Sequence, residues 1–160
     1  MVRVGFGSDS HRFDESGKKP LVLGGVRLSE EGGLEANSDG DVILHALFNA
    51  ISQACGGDSI GCYVDPLCAD GEKDSRKYLP IALDMVKDLR YRISNIGIMV
   101  EAKRPFIPPE INKKIKRSIA EITCLDEKSV GITYTSGEGL TAFGRGEGIL
   151  AQAVVSLVPE

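Results

Sequence analysis

The sequence predicts an α/β sandwich in which helices cover one face of a sheet. Three observations carry that expectation. Strand-like and helix-like patterns alternate along the chain. No repeat, linker or low-complexity tract divides the 160 residues, so one domain is expected. Hydrophobic residues make up 42% and charged residues 26%, which gives a sizeable core and a wet surface.

The elements follow in order. Val2, Val4 and Phe6 alternate with Arg3, Gly5 and Gly7, the period of a strand, and "PLVLGGV" reads as a second strand. The glycines and charges of "EEGGLEAN" make a loop. Ser38 or Asp39 then caps a helix over roughly Asp41 to Ala54, whose Val42, Ile43, Ala46, Leu47, Ala50, Ile51 and Ala54 recur at three- and four-residue spacing. "CGGDSIGCYVDPLCADGEKDS" reads as a long irregular segment, a kind of loop that is usually functional or mobile. Ser75 caps a second helix to about Leu89, with Pro80 tolerated near its start. "RISNIGIMVEA" is a strand. Pro109 opens a third helix with Ile111, Ile115, Ile119 and Ile122 on one face. "SVGITYTS" and "GILAQAVVSLV" are the last strands, separated by the glycine-rich "GEGLTAFGRGEG".

Charge and composition exclude several roles. A net charge of −4 and a pI near 5.3 argue against nucleic-acid binding, which wants a basic face. The run "INKKIKRSI" reads as a solvated helix face. With no Trp and only nine Phe and Tyr residues, an aromatic platform for single strands is not expected. No stretch reaches the ~18 apolar residues of a membrane span, and "MVRVGFG" lacks the apolar core of a signal peptide. The four cysteines form no CxxC pair, which fits reduced thiols in a cytoplasm.

The chemistry gathers at two places. In a strand, residues i and i+2 share a side, so Asp9 and His11 project together while Ser8 and Ser10 face away. A carboxylate and an imidazole are two-thirds of a catalytic zinc set, which keeps three protein ligands and an open fourth position. The only other histidine, His45, lies in the helix "SDGDVILHALFNA", with Asp41 four residues before it and Asn49 four after. These share one helical face, so either could be the polar partner that fixes a ligating histidine's tautomer. In "TSGEG", Thr135 and Ser136 offer hydroxyl donors, the glycines allow backbone N–H groups to approach an anion, and Glu138 suits a hard cation such as Mg²⁺.

As a set, "RVGFGSDSHRF", "LVLGGV", "SDGDVILHAL", "KDS" and "GRGEG", in that order over nearly the whole chain, resemble the 2-C-methyl-D-erythritol 2,4-cyclodiphosphate synthase family. The resemblance implies a single domain over residues 1–160. It implies a mixed four- to five-stranded sheet with helices on one face, and a homotrimer with its sheets around a central pore. The implied reaction converts 4-diphosphocytidyl-2-C-methyl-D-erythritol 2-phosphate to the cyclic diphosphate and CMP, a step in non-mevalonate isoprenoid biosynthesis. Asp9, His11 and His45 match zinc ligands, and Glu138 matches the residue that holds Mg²⁺ or Mn²⁺ with the substrate phosphates. Asn37 and Ser136 fall at the positions credited with supporting the transition state. Asp9, Ser10, His11, Asn37 and Ser38 fall on the family's substrate contacts, as do Asp58, Ser59, Ile60, Gly61 and Asp65. Ala102, Lys103, Arg104, Pro105, Phe106 and Ile107 fall on the cytidine-pocket segment. Thr135, Ser136, Gly137 and Glu138 face the diphosphate, and Phe143 and Arg145 are associated with the pore.

The chain departs from the family in several places. Asn37 replaces a histidine, Asn49 an aspartate, Phe106 a lysine and Ser136 a threonine. The family's "GDIG" reads "GDSIG", which displaces Asp58, and "VDPLCAD" leaves Asp65 as the best match in the following loop. Two other readings stay open on these residues. One is a metal-dependent phosphotransferase or phosphoesterase acting on another nucleotide-linked polyol. The other is a non-catalytic trimer that binds an isoprenoid diphosphate.

Overall fold

The computed structural model describes all of residues 1–160. The chain runs β1 (Arg3–Arg12), β2 (Leu21–Leu23), β3 (Val26–Ser29), α1 (Val42–Cys55), α2 (Gly61–Ala69) and, after a 3₁₀ turn at Ser75–Lys77, α3 (Leu79–Asp88). It continues β4 (Tyr91–Glu101), α4 (Pro109–Thr123), β5 (Val130–Thr135), α5 (Ala142–Arg145) and β6 (Gly148–Pro159). The main sheet is mixed and four-stranded in the order β1-β6-β4-β5, with only β4 and β5 parallel. β2 and β3 form a separate hairpin, so the single strand expected at "PLVLGGV" is two strands folded at Gly24-Gly25, both at positive φ.

The core lies between one sheet face and α1, α3 and α4. Ile149, Ala151, Ala153, Val155 and Leu157 of β6 and Ile96, Ile98 and Val100 of β4 line that face. Eleven of the fourteen residues of α1 are buried, which makes it the central helix rather than a surface one. The face of β1 toward α1 is not the apolar one. Gly5 and Gly7 are buried, while Val4 and Phe6 are 63% and 47% exposed on the opposite side. A Cβ on Gly5 would lie 2.0 Å from the Ala50 carbonyl oxygen, and one on Gly7 would lie 2.1 Å from that of Ala46. The glycines let the helix backbone rest directly on the strand.

Other local expectations are corrected. Asp41, not Ser38 or Asp39, caps α1, accepting from the Leu44 N–H at 3.0 Å. Asp41 also accepts from the Gly24 and Gly25 N–H groups at 2.8 and 2.6 Å, clipping the hairpin turn to the helix start. Burial pushes its carboxyl up to about 6, although those backbone donors pull the other way. The segment expected to be irregular contains α2, with Pro66 inside it. Asp74 rather than Ser75 caps the 3₁₀ turn, and α3 starts separately with Pro80 in its first turn.

Candidate metal centre and substrate grooves

One face of β1 reads Gly5, Gly7, Asp9, His11. The glycines seat α1, and the next two side chains on that face meet the helix one turn further along. His45 therefore comes down beside Asp9 and His11. The Asp9 Oδ2 lies 2.9 Å from His11 Nε2 and 3.0 Å from His45 Nδ1, and the two nitrogens are 3.3 Å apart. Donors held ~2.0–2.2 Å from a tetrahedral zinc lie roughly 3.3–3.5 Å from one another, so these three atoms fit around one small divalent ion. Asp9, His11 and His45 thus form a cluster that can hold a metal ion.

The three groups are electrostatically coupled. Burial raises the Asp9 carboxyl, but hydrogen bonds and charge from His11 and His45 hold it at about 2. The hydrogen bond to Asp9 raises His11, against a burial effect that lowers it. Neither Asp41 nor Asn49 reaches the His45 ring, contrary to the helical-face argument. The far nitrogen, Nε2, lies 2.9 Å from the Ser75 hydroxyl and 3.3 Å from that of Ser38. Ser38 is buried, its Oγ also accepting from the Gly40 N–H at 3.2 Å, so its side chain supports the ring. Ser75 is fully buried, which its place in "KDS" does not reveal.

The remaining candidates fall into two grooves and a loop. At the carboxyl ends of the parallel strands β4 and β5, a groove of about 260 Å³ is lined by Ala102, Lys103, Pro105, Phe106, Ile107, Thr135 and Ser136. Leu23, Val100, Tyr134 and Ile149 complete it. No local pattern marked these four, although Ile149 is the register partner of His11. Parallel strand ends are where α/β sheets commonly receive ligands. Arg104 turns aside to stack on Phe13 at 3.9 Å. Phe143 is strapped to this segment through its carbonyl, which accepts from the Lys103 N–H at 3.1 Å. Glu138 sits in an exposed turn after Ser136, whose hydroxyl donates to it at 3.2 Å, outside the three-residue cluster. Gly137 packs on Glu101, and Arg145 pairs with Glu147 at 3.0 Å. Ser10 is exposed on the opposite side of β1.

Asn37 and Asp65 share a second, open groove of about 510 Å³ with Ala36, Cys68, Ala69 and Lys73. The displaced loop from Asp58 to Gly61 is fastened to α1. The Asn49 Oδ1 accepts from the Ile60 N–H at 2.9 Å, and the Ser52 hydroxyl donates to the Asp58 carbonyl at 2.6 Å. The Tyr63 hydroxyl accepts from the Asp58 N–H at 2.9 Å. Asp58 and Ser59 are thereby presented to solvent, and Asn49 serves the loop rather than the His45 ring.

Comparison with known proteins agrees with this architecture. The 2-C-methyl-D-erythritol 2,4-cyclodiphosphate synthase of Chlamydia muridarum is 43% identical over 160 residues, covering 99% of this chain and 89% of the relative. The solved CDP complex of IspF from Plasmodium falciparum is 29% identical with a TM-score of 0.84, covering 99% of this chain and 97% of that one. The bifunctional IspDF of Campylobacter jejuni gives a TM-score of 0.90 at 34% identity. The match covers 98% of this chain but 42% of that longer protein. The family profile described as the YgbB family matches residues 2–158, and this chain belongs to that family.

Proposed function

We propose that this chain is a 2-C-methyl-D-erythritol 2,4-cyclodiphosphate synthase, a lyase that converts 4-diphosphocytidyl-2-C-methyl-D-erythritol 2-phosphate to the cyclic diphosphate and CMP. The observation that carries this reading is the convergence of Asp9, His11 and His45 on one point, in a chain that also has a groove at the ends of β4 and β5. In this reading Asp9, His11 and His45 hold zinc, and Glu138 holds Mg²⁺ or Mn²⁺ with the substrate phosphates. Such ions, when bound, stabilise charge that develops on phosphoryl oxygens.

The rest is positioning. An oxygen of the 2-phosphate bonds to the diphosphate phosphorus nearer the erythritol, the bond from that phosphorus to the CMP oxygen breaks, and CMP leaves with the electron pair. Both reacting groups belong to one molecule, so folding it back on itself is worth an effective molarity of about 10⁵ M or more. In this reading the apolar walls of the β4/β5 groove receive the cytidine, and the CDP complex of a solved relative supports a substrate with a cytidine diphosphate group. Thr135 and Ser136 donate hydroxyl hydrogen bonds at the diphosphate end. On the same reading Asn37 and Asp65, with the exposed Asp58 and Ser59, face the erythritol end, where Asn37 donates a neutral hydrogen bond.

The reading extends to the assembly. The chain acts as one domain over residues 1–160 in a homotrimer, its sheets around a central pore that Phe143 and Arg145 approach, with active sites between neighbouring copies. The exposed Val4, Phe6 and Val154 on the uncovered sheet face support it. No helix is long and apolar enough to cross a membrane. Four unpaired cysteines suit a reducing compartment, and the reading places the enzyme in the cytoplasm.

The test is a ³¹P spectrum of the authentic substrate with protein, zinc and Mg²⁺. The expected result is cyclic diphosphate plus CMP, lost in His45→Ala together with bound zinc while the fold persists. A different phosphorylated product, or unchanged substrate, would discard the assignment.

A further inference from the structure

We infer that Ser75 and Asp39 form a hydroxyl–carboxylate relay that fixes the His45 ring so that Nδ1, and not Nε2, faces the metal. Ser75 is thus a positioning residue for the metal centre. The inference rests on the metal-site reading above and deepens it.

The argument is one of donors and acceptors. The Ser75 hydroxyl donates to Asp39 Oδ1, and its backbone N–H donates to Asp39 Oδ2 at 3.0 Å. A carboxylate only accepts, so the hydroxyl proton is committed to Asp39. What the Ser75 oxygen presents to His45 Nε2, 2.9 Å away, is a lone pair. Two acceptors cannot face each other, so Nε2 carries a proton and donates it to Ser75. With a metal ion in place, the other nitrogen of the neutral ring would present its lone pair to the ion, in place of the hydrogen bond that Nδ1 makes to Asp9 in the metal-free chain. That nitrogen, Nδ1, is the atom 3.0 Å from Asp9 Oδ2 and 3.3 Å from His11 Nε2.

Asp39 is itself locked. Its Oδ1 accepts from the Asp41 N–H at 3.1 Å, and its own N–H donates to the Lys73 carbonyl at 2.8 Å. The relay thus ties the loop before α1, the turn at Ser75–Lys77 and the middle of α1 to one imidazole. It matters because His45 is the only one of the three candidate ligands that comes from outside β1. Two ligands arrive together on a strand face. The third sits on a helix, and a half-turn of its ring would swap Nδ1 with Cδ2 and Nε2 with Cε1, turning both nitrogens away from their partners. Ser75 and Ser38 make that flip costly, since both oxygens are placed for Nε2.

Two measurements test it: zinc affinity by chelator competition, and the His45 ring N–H in the zinc-loaded protein by ¹⁵N-edited NMR. In the unsubstituted chain the ring proton is expected on Nε2, slow to exchange. Ser75→Ala is expected to weaken zinc binding about 10- to 100-fold, as losing a partner behind a ligand typically does, and to make that N–H exchange quickly. A packing role alone would lower the melting midpoint of the metal-free protein and leave both readouts unchanged. Zinc affinity in Ser75→Ala equal to that of the unsubstituted chain, or a loaded ring bearing its proton on Nδ1, overturns the relay. The second measurement needs no variant. If His45→Ala binds zinc as tightly as the unsubstituted chain, the metal-site reading fails instead.

Discussion

Two residues apart on one strand, Asp9 and His11 each change how the other titrates. Burial favours the neutral Asp9 carboxyl, yet its two histidine partners bring it from the ordinary 3.8 to about 2. A carboxyl lowered on folding stabilises the fold above its unfolded value and loses that contribution as pH falls toward the folded one. His11, raised by Asp9 above 6.5, works in the opposite sense: its contribution is complete below 6.5 and disappears as pH rises through the folded value. The metal-free protein is therefore expected to draw most stability from this pair between about pH 4 and 6.5. Urea midpoints across pH check this. Asp9→Asn removes the acid limb and flattens the alkaline one, because Asp9 is the main reason His11 is raised. At this scale the ligands were legible, since the period of a strand fixes which side chains share a side. Their supports were not. Ser75 reaches His45 across 30 positions of sequence, and Asp41 and Asn49 are drawn off by the hairpin turn and the Ile60 loop.

Between elements, the decisive contact is backbone on backbone where α1 lies on β1. Ala46, Ala50 and Ala54 recur every four residues on the helix opposite Gly5 and Gly7. Gly7→Ala would set a methyl 2.1 Å from the Ala46 carbonyl oxygen, which a flexible side chain cannot relieve. The expected cost is about 3 kcal/mol or more, read from urea unfolding, with weakened zinc binding because His45 moves with the helix. The sequence pattern located β1, α1, β4, α4, β5 and β6. It did not show which side of β1 is covered, because small residues that permit close approach carry no hydrophobic signal. It also missed α2, where Pro66 and the preceding glycines hide the helix, and the fold of the β2–β3 hairpin.

For the whole molecule, the uncovered face of the sheet is the feature a single chain leaves unexplained. Phe6 and Val154 are register partners there, with Gly97, Met99, Thr133 and Gln152 lining a shallow groove of about 410 Å³ beside them. The trimer reading predicts a weight-average mass near three times 17.1 kDa. Phe6→Asp is expected to bring it to 17.1 kDa by light scattering and to abolish turnover with the zinc cluster intact. A trimeric mass in that variant would place the interface elsewhere. Alternation of elements exposed the sandwich in the sequence, but nothing in a period-two pattern distinguishes a face awaiting another copy from one facing water.

The fastened loop from Asp58 to Gly61 has a thermodynamic meaning. Its backbone is held by Asn49, Ser52 and Tyr63 as part of folding, so its conformational freedom is already gone before any ligand arrives. In the proposed reading, where this loop meets the substrate, association there carries little additional ordering entropy, and the loop acts as a rigid template rather than a closing flap.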